Sequence, residues 1–163
     1  RIGFGSVFIF RTPGSGYRCV MGFGFEETMS GTWTKDGVTR PFSFTVVVRS
    51  GPLGAWRKKQ QVADMEGAVD AEGLATRQPL RGTLRMQPFL GRVIRYDVAF
   101  TGDDGKPYTF AGQKDIRWLS PVRTWTELPG DVRDGDGKLV GTAMTRFDLK
   151  KDGWSFMRSW KPA

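Results

Sequence analysis

One segment, residues 25–33, places a carboxylate among apolar residues at strand spacing. Phe25, Glu27, Met29 and Trp33 alternate with other residues, so an extended strand puts all four on one face. If the apolar members point inward, Glu27 points inward as well, and a buried carboxylate needs a partner. We consider a polar anchor in a ligand cavity, a general acid/base, and a structural ion pair with one of the many arginines. A bulge that turns Glu27 outward is the remaining alternative.

A second group of polar residues lies on predicted strands later in the chain. Tyr108, Phe110 and Lys114 share a face, so the apolar side of that strand continues onto a lysine. Lys114 could meet an anionic head group, although a strand-end lysine more often reaches solvent with its stem on apolar surface. Residues 92–100 place Tyr96 on an apolar face and Arg95 on the opposite one. The candidate ligand-binding residues are therefore of two kinds. The polar anchors are Glu27, Arg95, Tyr108 and Lys114, and the residues that would form the walls of the cavity are Trp33, Tyr96 and Phe110.

The chain contains no histidine, and this absence excludes several classes of site. A Ser-His-Asp triad, a papain-like Cys-His pair and histidine-ligated zinc, iron or haem all require that residue. The glycine-rich stretches lack the ending of a phosphate loop, and residues 134–138 lack the glutamate of a calcium loop. We predict no catalytic residue, no metal and no cofactor. The single cysteine, Cys19, rules out an internal disulfide and suits a reducing compartment.

The net charge is +8, which attracts phosphate, anionic lipid or acidic proteins. The charges are scattered along the chain. Four tryptophans near arginine or lysine could stack on single-stranded nucleic acid, but in an all-β domain such residues more often belong to the core or rim. They are Trp118, Trp125, Trp154 and Trp160. Nucleic-acid binding is therefore an alternative and not the leading interpretation.

Hairpins organise the chain. Six acidic-Gly pairs begin at residues 36, 72, 104, 134, 136 and 152, and Asp-Gly favours tight turns between antiparallel strands. A weak repeat with an offset of 36 residues matches Met29 to Val38 with Met65 to Leu74. Residues 42–48, 92–100 and 139–149 alternate with period two. The last segment places Leu139, Ala143, Phe147 and Leu149 on one face. The segment from residue 54 to 66 could hold a short helix or a loop.

These elements predict one all-β domain over residues 1–163. A meander of roughly 8–10 strands leaves two exposed edges unless it closes, so we predict an antiparallel up-and-down barrel, lipocalin-like, with a β-sandwich as the alternative. No apolar stretch approaches the roughly 20 residues of a transmembrane helix. The opening apolar segment, residues 3–10, lacks a signal-peptide layout, so we expect a cytoplasmic protein. The chain starts at Arg1, so a removed leader or a larger parent chain stays open.

The order of several motifs resembles one known family. The motifs are Phe25-x-Glu27-x-Met29-x-Gly31, Tyr96-x-x-x-Phe100, the run from Asp104-Gly105 through Tyr108 and Gly112 to Lys114, Trp125 to Leu128, and Val140-Gly141. This series resembles the accessory β-domain beside bacterial GMC-type, cholesterol-oxidase-like flavoenzymes. The chain lacks the flavin-binding Gly-x-Gly-x-x-Gly, so the resemblance implies an associated module without the oxidase reaction. Gly31-Thr-Trp33 also resembles the Gly-x-Trp of lipocalins, and both resemblances imply a barrel near lipid-like ligands.

The leading functional prediction is a non-enzymatic binding barrel with an apolar interior. It would hold a lipid-, sterol- or carotenoid-like ligand, or dock onto a lipid-modifying partner enzyme. The small molecule that it binds would be hydrophobic or anionic. An eight-stranded barrel has just enough interior for one small ligand. A solidly filled interior would count against this function. The alternative from another class is a histidine-free isomerase or cyclase that uses Glu27 as its acid/base.

Overall fold

The computed structural model describes residues 22–58, 61–87, 91–115 and 126–147. They form eight antiparallel strands and one short helix, in the following order. The elements are β1 (Gly24–Lys35), β2 (Val38–Arg49), α1 (Leu53–Lys58), β3 (Val62–Ala71), β4 (Ala75–Gln87), β5 (Val93–Thr101), β6 (Pro107–Asp115), β7 (Glu127–Asp134) and β8 (Leu139–Phe147). Each strand pairs with the next and β1 pairs with β8, which closes an up-and-down barrel. The predicted all-β barrel is confirmed, and closure excludes the sandwich.

The predicted acidic-Gly hairpins lie together at one end of the barrel, which we call the hairpin end. Gly37, Gly73, Gly105 and Gly137 all have positive φ between 77° and 80°. Asp36 has φ 51°, so both central residues of the β1–β2 turn adopt the left-handed conformation that a type I′ turn requires. The two copies of the 36-residue repeat form the hairpins β1–β2 and β3–β4. The sixth acidic-Gly pair, at residue 152, lies outside the described residues.

The opposite end, where β1 begins and β2 ends, is the loop end. Helix α1 lies there, between β2 and β3. The sequence predicted a short helix or a loop over residues 54–66; the helix begins one residue earlier, and the prediction is wrong for residues 62–66, which belong to β3. Ser50 fastens this connection to the start of β1. Its backbone N–H donates to the Phe23 carbonyl at 3.0 Å, and its hydroxyl accepts from the Phe23 N–H at 2.9 Å.

Period-two alternation sends one face of every strand into the core. Phe42, Phe44, Val46 and Val48 of β2 are buried together. The apolar face predicted for residues 92–100 is buried as well, and its members are Ile94, Tyr96, Val98 and Phe100. The predicted position of Leu139 is wrong, because this side chain is 48% exposed, and Leu149 of the same predicted face lies outside the described residues. Val132 pairs with Gly141 but Arg133 pairs with Leu139, and this register shift occurs where β8 leaves the turn.

Aromatic rings fill the middle of the barrel. β2 and β6 lie on opposite walls, four strands apart, yet the rings of Phe42 and Phe110 have centroids 5.4 Å apart. The Phe44 ring lies 5.8 Å from that of Phe110. Glycines make room for this contact, because a Cβ at Gly112 would lie 2.9 Å from the Phe110 ring and one at Gly130 would overlap it. The three phenylalanines therefore form a layer that separates the two ends of the interior.

Candidate functional site

Three polar side chains from three strands meet inside the barrel on the loop-end side of the aromatic layer. Glu27 lies near the start of β1, Tyr96 near the start of β5 and Lys114 near the end of β6. Antiparallel order brings these three strand ends to the same end of the barrel. Alternation then turns each side chain inward, and the residues are 6%, 2% and 4% exposed, respectively. We call this group the polar cluster.

The cluster is held by hydrogen bonds that cross the interior. The Tyr96 hydroxyl donates to the Glu27 carboxylate, with oxygen separations of 2.9 Å to Oε2 and 3.1 Å to Oε1. β1 and β5 lie on opposite walls, so this bond spans the barrel. Lys114 Nζ lies 3.2 Å from the Tyr96 hydroxyl oxygen and 3.5 Å from Glu27 Oε1. Glu27 and Lys114 are the buried charged residues of the described part of the chain.

Tyr96 remains a hydrogen-bond donor over a wide range of pH. Its burial raises the pKa of the phenol well above the ordinary value of 10.0. The negative charge of Glu27 and the hydrogen bond to that carboxylate raise the pKa further. The neutral phenol is thus the form that donates the hydrogen bond to Glu27.

The Glu27 carboxylate and the Lys114 ammonium differ in the lengths of their hydrogen-bond contacts. Glu27 accepts a bond of ordinary length from Tyr96. Lys114 Nζ makes one contact of ordinary length, to the Tyr96 hydroxyl at 3.2 Å, and a longer one, to Glu27 Oε1 at 3.5 Å. Its third neighbour is the thioether sulfur of Met29 at 4.0 Å. Charge-assisted N–H···O bonds are usually about 2.7–2.9 Å long. The three donors of the Lys114 ammonium therefore have three neighbours, of which the Met29 sulfur is the weakest acceptor.

The prediction that Glu27 points inward is confirmed, but its partner is a lysine and not an arginine. The expectation that Lys114 reaches solvent is wrong, since its side chain is 3% exposed. The face that it shares with Phe110 already indicated an inward direction. The pairing with Glu27 had no sequence signal, because it depends on how three distant strands are arranged around the barrel.

The other candidate residues lie apart from the polar cluster. Trp33 is buried towards the hairpin end, where its indole N–H donates to the Glu72 carbonyl at 3.2 Å. Tyr108 is at the hairpin end too, and its hydroxyl donates to Asp104 at 2.9 Å. This bond raises the pKa of Tyr108. Phe110 belongs to the aromatic layer.

Arg95 lies on the outer face of β5, where it forms an ion pair with Asp97 at 2.8 Å. Its side chain is 50% exposed, as the alternation of β5 indicated. The hydrogen bond to Asp97 and its charge raise the pKa of Arg95. Arg95 is therefore separated from the interior by the sheet itself.

Three aromatic side chains meet near the loop end, and the sequence had indicated only one of them, Phe25, as facing inward. Phe23 stacks with Phe25 at 6.4 Å and meets the Trp56 ring of α1 edge-on at 5.1 Å. All three are partly buried against the core. The Trp56 indole nitrogen is buried and has no hydrogen-bond partner. A tryptophan in a six-residue helix shows no periodicity that could have marked it.

Within the described ranges, no group of three or more histidine, cysteine, aspartate or glutamate residues could hold a metal ion. In the same part of the chain, helices that could cross a membrane are absent. The four tryptophans considered for nucleic-acid stacking lie outside the described residues. Comparison with protein-family models, curated proteins and solved structures finds no match.

Proposed function

We propose that the chain is a non-enzymatic binding barrel for a hydrophobic small molecule with a lipid- or sterol-like body. The ligand enters at the loop end and places its polar group on the polar cluster. The observation that carries this proposal is the burial of Glu27, Tyr96 and Lys114 together in an interior whose other described side chains are mostly apolar. A cytoplasmic setting belongs to the same proposal, since the single cysteine, Cys19, suits a reducing compartment.

Stability alone is a poor explanation for the polar cluster. Desolvation costs several kcal/mol per buried ion, and well-packed apolar residues of similar volume are often at least as stable. Ligand pockets, in contrast, are mostly apolar and carry a few polar groups that orient the ligand. The third contact of Lys114 fits this second role, because a ligand oxygen would be a better acceptor for the ammonium than the Met29 sulfur at 4.0 Å.

The aromatic layer limits where the ligand lies. We place the ligand on the loop-end side of the contact between Phe42 and Phe110, because the polar cluster lies on that side. On that side the polar cluster lies deeper in the barrel. The partly buried rings of Phe23, Phe25 and Trp56 offer apolar surface nearer to the loop end. The ligand would therefore bind with its polar group inward and its apolar body among these rings. Trp56 adds an indole N–H without an acceptor.

Native mass spectrometry after incubation with a lipid extract tests the proposal. We expect one adduct per chain, identified after organic extraction, and a lower adduct fraction for Lys114→Met. Lys138→Met, which removes an exposed lysine of the β7–β8 turn, is the matched control and should bind as the wild type does. A clean apo mass throughout would contradict ligand binding. It would direct attention to docking onto a partner such as a lipid-modifying enzyme, to be sought by pull-down.

A second candidate function follows from the chemistry of the same residues. A carboxylate, a phenol and an ammonium within 3.5 Å of one another are groups that transfer protons, as an isomerase or cyclase requires. For such an enzyme, Glu27→Gln should abolish turnover of the captured ligand while folding and ligand binding persist. Recovery of the ligand chemically unchanged after long incubation with the wild type would contradict this candidate.

A further inference from the structure

Three neighbouring strands present an outer surface without charge, although 26% of the residues in the chain are charged. β1 lies between β2 and β8, and alternation turns every second side chain of each strand away from the core. We call this surface the uncharged face. Its residues are Thr28, Ser30, Thr32 and Thr34 of β1, Thr39, Pro41, Ser43, Thr45 and Val47 of β2, and Thr142 and Met144 of β8.

Exposed apolar side chains gather on the same strands. Met144 lies on the uncharged face itself and is 42% exposed. Val38 and Leu139, each 48% exposed, lie at its hairpin-end border, where β2 and β8 begin. These three are the exposed large hydrophobic residues of the described part of the chain. The centre of a protein–protein interface is likewise depleted of charged residues and enriched in methionine.

Hydroxyl groups of the uncharged face bond to one another. The Oγ1 atoms of Thr28 and Thr45 are 3.0 Å apart, and those of Thr34 and Thr39 are 2.9 Å apart. Both pairs bridge β1 and β2. Covering a polar group is costly when the group loses its hydrogen-bond partner. These internal bonds therefore lower the cost of removing water when a second surface covers the face.

The charges on the far side of the barrel indicate which partner the face fits. The exposed side chains of Arg81, Arg85 and Arg95 lie on β4 and β5, across the barrel from β1. An acidic partner would be attracted to that side and not to a face without charge. Two copies of a chain with a net charge of +8 repel each other. This repulsion is smallest when the copies meet through their uncharged faces, because the arginines then point away from each other.

We infer that two copies of the chain associate through their uncharged faces, related by a two-fold axis. Such a contact is isologous, so the same surface serves both copies. The inference concerns the outside of the barrel and does not depend on a ligand in the interior. Three strands about 4.8 Å apart and about 20 Å long cover on the order of 300 Å², below the roughly 800 Å² per partner of a standard interface. The dimer is therefore weak and reversible.

Sedimentation equilibrium of the full chain from about 10 µM to about 1 mM measures the dissociation constant of this dimer. Met144→Arg should weaken dimerisation at least about tenfold, because it places a charge in each half of the contact. Ala99→Arg is the matched control. It adds the same charge at an exposed site of β5, on the far side of the barrel, and should keep the wild-type dissociation constant.

A second variant and a salt series sharpen the test. Thr32→Arg places a charge on β1 beside Met144 and should also weaken dimerisation, which keeps the test decisive if Met144→Arg fails to fold. Urea unfolding establishes which variants are folded. Raising NaCl from about 50 mM to about 300 mM should tighten the wild-type dimer, because salt screens the repulsion between the two chains.

Three outcomes would overturn the dimer and leave the proposed ligand binding untouched. The first is a wild type that stays monomeric over the whole concentration range. The second is equal weakening by Ala99→Arg and Met144→Arg, since this would reflect total charge and not the uncharged face. The third is a monomeric wild type that cosediments with phosphatidylcholine vesicles while Met144→Arg does not, which would assign the face to a lipid surface.

Discussion

Glu27 Oε1 of β1 and Lys114 Nζ of β6 lie 3.5 Å apart although 87 residues separate them in the chain. Around the barrel, β7 and β8 lie between their strands. The pair therefore forms only when β1 has closed on β8 and both strands have the correct register. Each ion needs the other, because burial of an unpaired charge costs a large amount of free energy.

Lys114→Met is expected to lower the free energy of unfolding by about 3–5 kcal/mol, because it leaves the Glu27 carboxylate buried without its cation. The double variant Glu27→Met/Lys114→Met removes both charges, so its loss should be much smaller than the sum of the two single losses. Urea unfolding followed by tryptophan fluorescence measures the loss for Glu27→Met, for Lys114→Met and for the double variant. Lys138→Met, at an exposed site, should stay within about 0.5 kcal/mol of the wild type. Additive losses would show that the two charges are not coupled.

The stabilising contribution of the Tyr96 phenol should be lost at high pH. Because the pKa of Tyr96 is raised in the folded state, the unfolded chain loses the phenolic proton first as pH rises above the ordinary value of 10.0. The stabilisation is complete below pH 10.0 and is lost as pH rises towards the folded pKa, with a slope of up to about 1.4 kcal/mol per pH unit. Urea unfolding from pH 8 to 11 should show a shallower decline for Tyr96→Phe than for the wild type.

Tyr108→Phe provides the comparison for this pH effect. The pKa of Tyr108 is also raised, chiefly by its hydrogen bond to Asp104, but this hydroxyl lies at the hairpin end outside the polar cluster. We expect the larger change of slope from Tyr96→Phe. Identical pH profiles for the wild type and Tyr96→Phe would contradict the buried, Glu27-bonded phenol.

The fold followed from local signals, whereas the site did not. Asp36-Gly37 and its counterparts specify turns by their own backbone preferences, and period-two alternation specifies which residues point inward. Both signals act over a few residues and can be found without tertiary information. Closure followed from the need to protect strand edges. The pairing of Glu27 with Lys114 depends on the tilt and stagger of strands around the closed barrel, which no local pattern specifies.

The exposed position of Leu139 illustrates the limit of alternation. Its parity with Ala143 and Phe147 is correct, but the register shift beside Arg133 moves the first residue of β8 out of the regular ladder. Bulges depend on the partner strand, so they are invisible in one strand alone. Trp56 was missed for the opposite reason, because α1 is too short to show helical periodicity.

Gly67→Ala should destabilise the barrel, because a Cβ on this β3 residue would collide with the Thr45 carbonyl of β2. Backbone cannot move aside as a side chain can, so we expect a loss of about 1–3 kcal/mol in urea unfolding. Gly31, at the equivalent position of the repeat, faces the Met144 carbonyl in the same way and should behave alike. Gly54→Ala on α1 is the control, since a Cβ at this position would meet open space. Alanine also has a higher helix propensity than glycine, so this variant should gain up to about 1 kcal/mol. A loss at Gly54 equal to that at Gly67 would contradict the close approach.

Asp103 should contribute to stability against acid. Its carboxylate accepts from the Gln78 side chain and from the backbone and hydroxyl of Thr76, which ties the β5–β6 turn to β4. These bonds, that of Gln78 first, lower the pKa of Asp103 below the ordinary 3.8. The contribution is thus present above pH 3.8 and lost as pH falls through the folded pKa. The difference in stability between the wild type and Asp103→Ala should shrink towards pH 3; a constant difference would contradict this assignment.

The two tryptophans with buried indole nitrogens should respond differently to removal of the N–H group. Trp33→Phe breaks the bond to the Glu72 carbonyl and leaves space in the core, so we expect a loss of about 2–4 kcal/mol. Trp56→Phe removes a buried donor that has no partner, and this gain offsets part of the lost ring contact with Phe23. Its net change should stay within about 1 kcal/mol in urea unfolding. A loss at Trp56 as large as that at Trp33 would mean that the Trp56 N–H has an acceptor in solution.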